Sequence, residues 1–296
     1  MIIKEHINVK DDRLIDGLTP VVWIMDQVEK SVDQDVTIDF SDTRFISPVF
    51  ALSLIVYLTR CGKQIAFTNV FDYLERIGLG NGGIKPDTMR QTEFLAELEK
   101  YTSKTYIPII DFAAGRNSDA KEIVSSIVEN MIIQQLNIQS NVANGLKYMI
   151  DETLDNITEH SESDRGYIFA QAYPTKGFLD VCIADRGVSL LGSYEKLPDN
   201  EILSDMEAIK AANRGLSSKN LPEAENRGFG IRTSKQMLIH GLGGQFLMIS
   251  GSSLYLKSCN LDTFYSMPHG LRWNGTIVAL RIPYHSTSFN YINYIE

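Results

Sequence analysis

The stretch MIDETLDNITEHS, residues 149–161, decides how this chain is read. Glu152, Asn156 and His160 recur at every fourth position, with Ile150, Leu154 and Ile157 among them. Residues four apart in a helix stack on one face. The spacing therefore predicts an amphipathic helix that aligns a carboxylate, an amide and an imidazole. Such a face can be a solvated helix surface. It can also be a site: an Asn carbonyl is a hard oxygen ligand for Mg²⁺. A Glu one turn earlier can take a proton from a hydroxyl or water attacking a phosphate.

Three downstream segments favour the site. IADRG, 183–187, puts Asp185 at the end of an apolar strand, placed to accept a hydrogen bond from an exocyclic amine. Gly187 lets the backbone turn closely beneath a flat ring. ENRGFGIRTSK, 225–235, runs Gly228 and Gly230 into a helix, where free N–H groups attract anions. WNGTIVALRIP, 273–283, puts Thr276 at the mouth of a late strand, where its hydroxyl can share a base contact through water.

Around these motifs the chain divides in two. Residues 1–86 alternate strand and helix signals: HINV, DVTIDF and KQIAFTNV as strands, RLIDGLTPVVWIMDQVEKSV, SPVFALSLIVYLTRCG and FDYLERIGL as helices. Repeated βα units predict an open α/β sheet. GNGGIKPDTMRQTE breaks the pattern, and 87–104 read as a connector with one polar helix, EFLAELEKY. Residues 105–296 open with a strand, TYIPIIDF. Helices over 118–136 and 139–160 and a hairpin turning at PTKG follow. Residues 188–227 are polar and irregular apart from a helix at EILSDMEAIKAAN. A helix, IRTSKQMLIHG, and strands GQFLMIS, SLYLK and TIVALRIP complete the pattern. GLGNGG, 78–83, matches a dinucleotide-binding spacing, but it follows a helix instead of a strand and reads as a helix stop.

Composition narrows the function. With 296 residues and 44% apolar content the chain can build a sizeable core. A net charge of −9 offers no overall field to nucleic acid or to an anionic membrane, and neither is expected as a partner. Phe45–Thr59, apolar and nearly free of charge, is shorter than the ~20 residues of a membrane span and contains Pro48. The start, MIIKEHINVKDD, is charged too early for a secretory signal. Cys61, Cys182 and Cys259 form no CxxC pair, and the five histidines show no metal-ligand spacing. A cytoplasmic protein is expected.

Residues about 105–285 resemble the GHKL ATP-binding fold of gyrase, heat-shock chaperones, histidine kinases and MutL-type repair proteins. ETLDNITEH resembles the N box, DRG the G1 box, RGFGI the G2 box and NGT the last nucleotide-binding strand. The resemblance implies an α/β sandwich, a mixed sheet covered by helices, that binds ATP with Mg²⁺. Asn156 would ligate Mg²⁺, Asp185 with Gly187 would hold the adenine, Gly228 and Gly230 would close on the phosphates, and Thr276 would support the base. Residues 188–227 would form the lid. Lys219, Arg227 and Arg232 are candidates for the cation that meets the terminal phosphate.

Within that family ExxxNxxxH is most similar to the anti-sigma-factor serine kinases, with Glu152 as base for an oxygen nucleophile. A serine-kinase-like or ATPase activity is expected. The alternative is a non-catalytic ATP-dependent switch that binds a partner protein. The N-terminal segment more loosely resembles a STAS domain, the fold of anti-sigma-factor antagonists, carried by VTIDFSDTRFISPVFALSLIVYL and GKQIAFTNVFDYLERIGL. There the usual phospho-acceptor position falls on Pro48, which leaves Ser47 as acceptor or as helix cap. The implied partner is a sigma- or antagonist-type regulator, or the chain's own STAS-like part, held near millimolar effective concentration by the linkage. The resemblance also accommodates a homodimer.

Overall fold

A computed structural model describes residues 1–4, 13–115, 120–136, 138, 140–160, 162–216, 230–284 and 289–294. In the N-terminal part, strands β1 (Ile2–Lys4), β2 (Asp35–Asp39) and β3 (Gln64–Thr68) form a parallel sheet in that order. Helices α1 (Leu18–Lys30) and α2 (Pro48–Leu58) make the crossovers, and α3 (Asp72–Arg76) follows. The first strand is thus Ile2–Lys4. The predicted HINV strand lies outside the described residues.

Helix α2, PVFALSLIVYL, explains how this part meets the rest. Pro48 occupies the first helical position, and the Ser47 Oγ accepts the Phe50 N–H at 3.3 Å. Every residue from Pro48 to Tyr57 is buried. A helix that is apolar all round needs protein on every side. Here α1 covers part of it, and strands of the second sheet cover much of the remainder.

After α4 (Gln91–Glu99) the chain builds a seven-stranded antiparallel sheet. It contains β4 (Tyr106–Ala113), β5 (Arg165–Tyr173), β6 (Phe178–Asp185), β7 (Gln245–Gly251), β8 (Ser253–Ser258), β9 (Leu261–Ser266) and β10 (Trp273–Pro283). The spatial order is β4-β5-β6-β10-β7-β8-β9. Pro108 is accommodated because β4 is an edge strand with a register shift between Ile107 and Ile110. Successive strand residues point to opposite faces, and both faces are covered. Cys182, Ala184, Leu247, Ile249, Ile277 and Ala279 share one core with α1 and α2. Val181, Ile183, Phe246, Met248, Val278 and Leu280 pack with α5 (Ala120–Leu136), α6 (Ser140–His160) and the turn at Met237–Gly241.

The contact between the two parts is therefore a continuous apolar core, not a weak tethered encounter. Polar contacts fix its register. The Trp273 indole N–H donates to the Ser53 carbonyl at 3.1 Å, the Leu14 N–H to Gln245 Oε1 at 3.2 Å, and the Tyr73 hydroxyl to Gln171 Oε1 at 3.2 Å. On the same face Arg281 and Asp180 form a buried bidentate pair at 2.8 Å, with the Phe178 ring 4.0 Å from the guanidinium carbon.

Helices α7 (Leu190–Tyr194) and α8 (Asp205–Asn213) pack on one another within the expected lid, and α8 also reaches β7 and β8. Helix α9 (Gly230–Gln236) runs on into the turn at Met237–Gly241. The Gly-rich run at 78–83 is a turn, with φ near 80° at Gly78, Gly82 and Gly83. A side chain at Gly83 would meet the Ile109 carbonyl, so that run serves packing.

Candidate functional site

The register places Asp185 beside Thr276, and Thr276 beside Ser250, across three neighbouring strands. The alternation of faces puts all three on the side of α5 and α6. Asp185 is 1% exposed. The Gly187 N–H donates to its Oδ1 at 2.7 Å and the Thr276 N–H to its Oδ2 at 3.0 Å. Each carboxylate oxygen keeps a further acceptor position. Burial pushes the Asp185 carboxyl up to about 7, against the two N–H donors and the charge of Arg60, which act to hold it down.

The strand mouth is shaped for this contact. The pairing of β10 with β7 shifts between Trp273 and Thr276, an irregularity of the kind that re-aims side chains. Gly275 sits there at φ 96°, and a Cβ on it would lie 2.3 Å from the Asp185 carbonyl oxygen. Only glycine suits that position. The Ser250 hydroxyl is 3.2 Å from the Thr276 hydroxyl and accepts the Leu190 N–H at 2.9 Å, so the start of α7 is tied to the same rung.

Glu152, Asn156 and Gly230 form a second cluster, on helices that pack on this face. Helix α6 contacts both β6 and α9. Glu152 lies directly against Gly230: an ideal Cβ there would fall 1.7 Å from Glu152 Oε2. The Tyr148 hydroxyl, one turn back, bonds with Glu152 and Thr233. Burial, then the Glu152 charge, pushes that phenol up to about 12. The Asn156 Nδ2 donates to the Glu152 carbonyl at 2.6 Å, which leaves the amide oxygen as its acceptor.

Neighbouring charges brace the helices. Lys121 pairs with Asp155, Ser125 bonds Asp151 and Glu129, and burial pushes Glu129 up to about 7. Lys235 on α9 donates to Asn213 Oδ1 at 2.9 Å, and burial pulls its ammonium down to about 8.

The structure thus gathers Asp185, Gly187 and Thr276 around one carboxylate, and Glu152, Asn156 and Gly230 around another. Gly228, Lys219 and Arg227 lie outside the described residues, as does the His160 side chain. Arg232 is half-buried on α9. Ser47 is 4% exposed, and a Cβ on Gly17 would fall 2.2 Å from its hydroxyl, so it is a buried cap and not an accessible acceptor. Sequence reasoning missed Ser250, Tyr148 and Thr233, which carry no motif, and the role of Gly275, which the NG dipeptide signals.

The residues suit a metal brought by a phosphate ligand better than one held by protein alone. Among the described residues no cluster of three His, Cys, Asp or Glu side chains is arranged for a metal ion. Mg²⁺ commonly keeps several waters and takes few protein ligands, which fits a lone Asn156 oxygen. Two cavities of about 520 and 660 Å³ are lined by residues 81–97 and 65–81, and none of the candidate residues borders them. No protein-family model matches the chain, and no curated protein matches it either.

Proposed function

We propose that the chain binds Mg·ATP through a GHKL-type site and acts as a signalling protein of the serine-kinase or ATPase kind. The N-terminal part is a STAS-like unit that regulates the site or presents a surface to a partner protein. The observation that carries this reading is the pairing of Asp185 with Thr276. Two motifs 91 residues apart meet at one buried carboxylate, on the helix-covered face of an antiparallel sheet. The adjacency of Glu152 and Gly230, from the other two motifs, adds to it.

In this reading Asp185 accepts the exocyclic amine of adenine, and Thr276 holds the carboxylate in place through its N–H. Gly187 and Gly275 keep the surroundings free of side chains, so a flat ring can approach. Asn156 offers its amide oxygen to the Mg²⁺ that ATP brings, and that ion neutralises phosphate charge. Glu152, oriented by Tyr148, takes the proton from the attacking hydroxyl or water. The capped, buried Ser47 makes the chain's own STAS-like acceptor position an unsuitable substrate and directs transfer to another molecule or to water.

The test is incubation of the full chain with Mg²⁺ and γ-labelled ATP, beside Glu152→Gln. Release of labelled phosphate, or label passed to a partner protein, in wild type alone supports the enzyme. Nucleotide binding without label movement in either chain replaces it with the non-catalytic switch. Absence of nucleotide binding refutes both.

A further inference from the structure

Helices α5 and α6 meet along a ladder of polar residues spaced one turn apart. Lys121, Ser125 and Glu129 line one face of α5, and Asp155, Asp151 and Lys147 line the opposing face of α6. Each is joined to its counterpart. Lys121 pairs with Asp155, Ser125 bonds Asp151, and the Lys147 Nζ lies 3.9 Å from Glu129 Oε2. Glu129 also turns back along its own helix, with Oε1 2.9 Å from the Ser125 hydroxyl.

The middle rung decides the protonation. Ser125 Oγ touches both carboxyl groups, Glu129 and Asp151. A serine hydroxyl has one hydrogen to donate. With both carboxyls ionised, one contact would set lone pair against lone pair. One extra proton satisfies both contacts: one carboxyl donates to Oγ, and the Ser125 hydrogen goes to the other. Glu129 is 5% exposed and Ser125 4%, whereas Asp151 is exposed. Burial disfavours a charged form, so the proton resides on Glu129 and Asp151 accepts the hydroxyl. Burial, then the Asp151 charge, pushes the Glu129 carboxyl up to about 7. A Ser125 hydrogen turned to Glu129, and the Lys147 charge, act the other way. Lys147 is partly exposed, so water weakens its hold. Helix α5 also packs on β4 and on the turn Pro86–Thr88, whose Asp111 and Asp87 are both held by Arg165.

We propose that Ser125, Glu129, Asp151 and Lys147 form a pH-operated clasp between α5 and α6. Below neutral pH, protonated Glu129 locks onto Ser125 and, through it, Asp151. Above neutral pH, ionised Glu129 is repelled by Asp151 and turns to Lys147. The native carboxyl lies above its ordinary value of 4.5, so the stability it contributes is complete below pH 4.5 and is lost as pH rises to about 7. Glu152 follows Asp151 directly on α6, so the state of the clasp is felt beside the candidate base. The clasp operates whether or not the chain binds a nucleotide.

The experiment is carboxyl-carbon NMR titration of the full chain, wild type beside Asp151→Asn and Lys147→Met. Glu129 should titrate near neutral pH in the wild type, about one unit lower in Asp151→Asn and higher in Lys147→Met. A wild-type midpoint in the ordinary carboxylate range overturns the proposal. A midpoint unmoved by Asp151→Asn also overturns it, because burial alone then holds the proton.

Urea denaturation of wild type and Glu129→Gln between pH 5 and 8 reads the coupling to the fold. The glutamine amide donates to Ser125 at every pH, as the protonated carboxyl does below neutral. The wild-type folding equilibrium should weaken roughly 10- to 100-fold relative to the variant across that range, and a constant ratio overturns the proposal. Amide hydrogen exchange in α5 and α6, corrected for intrinsic rate, should loosen over the same range in the wild type alone. Unchanged protection while Glu129 titrates refutes the clasp.

Discussion

Replacement of Asp185 by asparagine should alter stability in a strongly pH-dependent way. The native carboxyl titrates near 7, above its ordinary value of 3.8. The native state therefore holds this proton more tightly than the unfolded chain. The stability it contributes is complete below pH 3.8 and is lost as pH rises to 7. At about 1.4 kcal/mol per pH unit, the interval is worth about 4 kcal/mol, of which about 3 kcal/mol falls between pH 5 and 8. Asparagine carries no such charge. Its single carbonyl oxygen serves only one of the Gly187 and Thr276 N–H groups, a loss of about 1–3 kcal/mol that does not depend on pH. Urea denaturation of both proteins at pH 5, 6, 7 and 8 measures the difference, and groups elsewhere cancel. The variant should be the less stable at pH 5 and gain on wild type by about 3 kcal/mol by pH 8. A difference constant across that range, within extrapolation error, would refute the assignment of a buried carboxyl whose proton the fold retains to near neutral pH.

Further outcomes follow from other contacts. Gly230→Ala should leave the fold intact, since the atom in its way is the end of a flexible side chain, yet turnover should drop because Glu152 is displaced; equal loss of melting temperature and turnover would contradict this. Arg281→Met should cost about 3–5 kcal/mol by removing the bidentate guanidinium from the buried Asp180 carboxylate, whereas Asp180→Leu with Arg281→Met should cost less; urea midpoints of the two variants decide. Ser47→Ala should lower stability by about 1 kcal/mol through loss of the α2 cap and leave label transfer from γ-labelled ATP unchanged.

Much of this architecture was legible in local pattern. The two long helices are found at 120–136 and 140–160, and the PTKG turn joins β5 to β6. Asp185 and Thr276 were expected to meet one ligand, Thr276 through its hydroxyl; the structure joins the two directly through the Thr276 N–H, a consequence of strand register that motif order does not reveal. Strand β9 was not anticipated, because LDTFYS lacks clean alternation and lies at an exposed sheet edge. The short helix α7 was also missed; its start depends on the Ser189 cap and on Ser250, far away in sequence. The apolar run in α2 announced a buried helix. What it is buried against depends on strands more than a hundred residues later, and local periodicity holds no record of that. For the same reason the bond from Trp273 to Ser53 emerges only from the folded chain.

The most direct measurement is calorimetric titration of Mg·ATP into the intact chain at pH 8, beside Asp185→Asn. The account predicts one nucleotide per chain in the wild type and affinity about ten- to hundredfold weaker in the variant, the loss of a charged hydrogen bond of about 1.5–3 kcal/mol. Equal affinity in the two proteins, or no binding by the wild type, would contradict it.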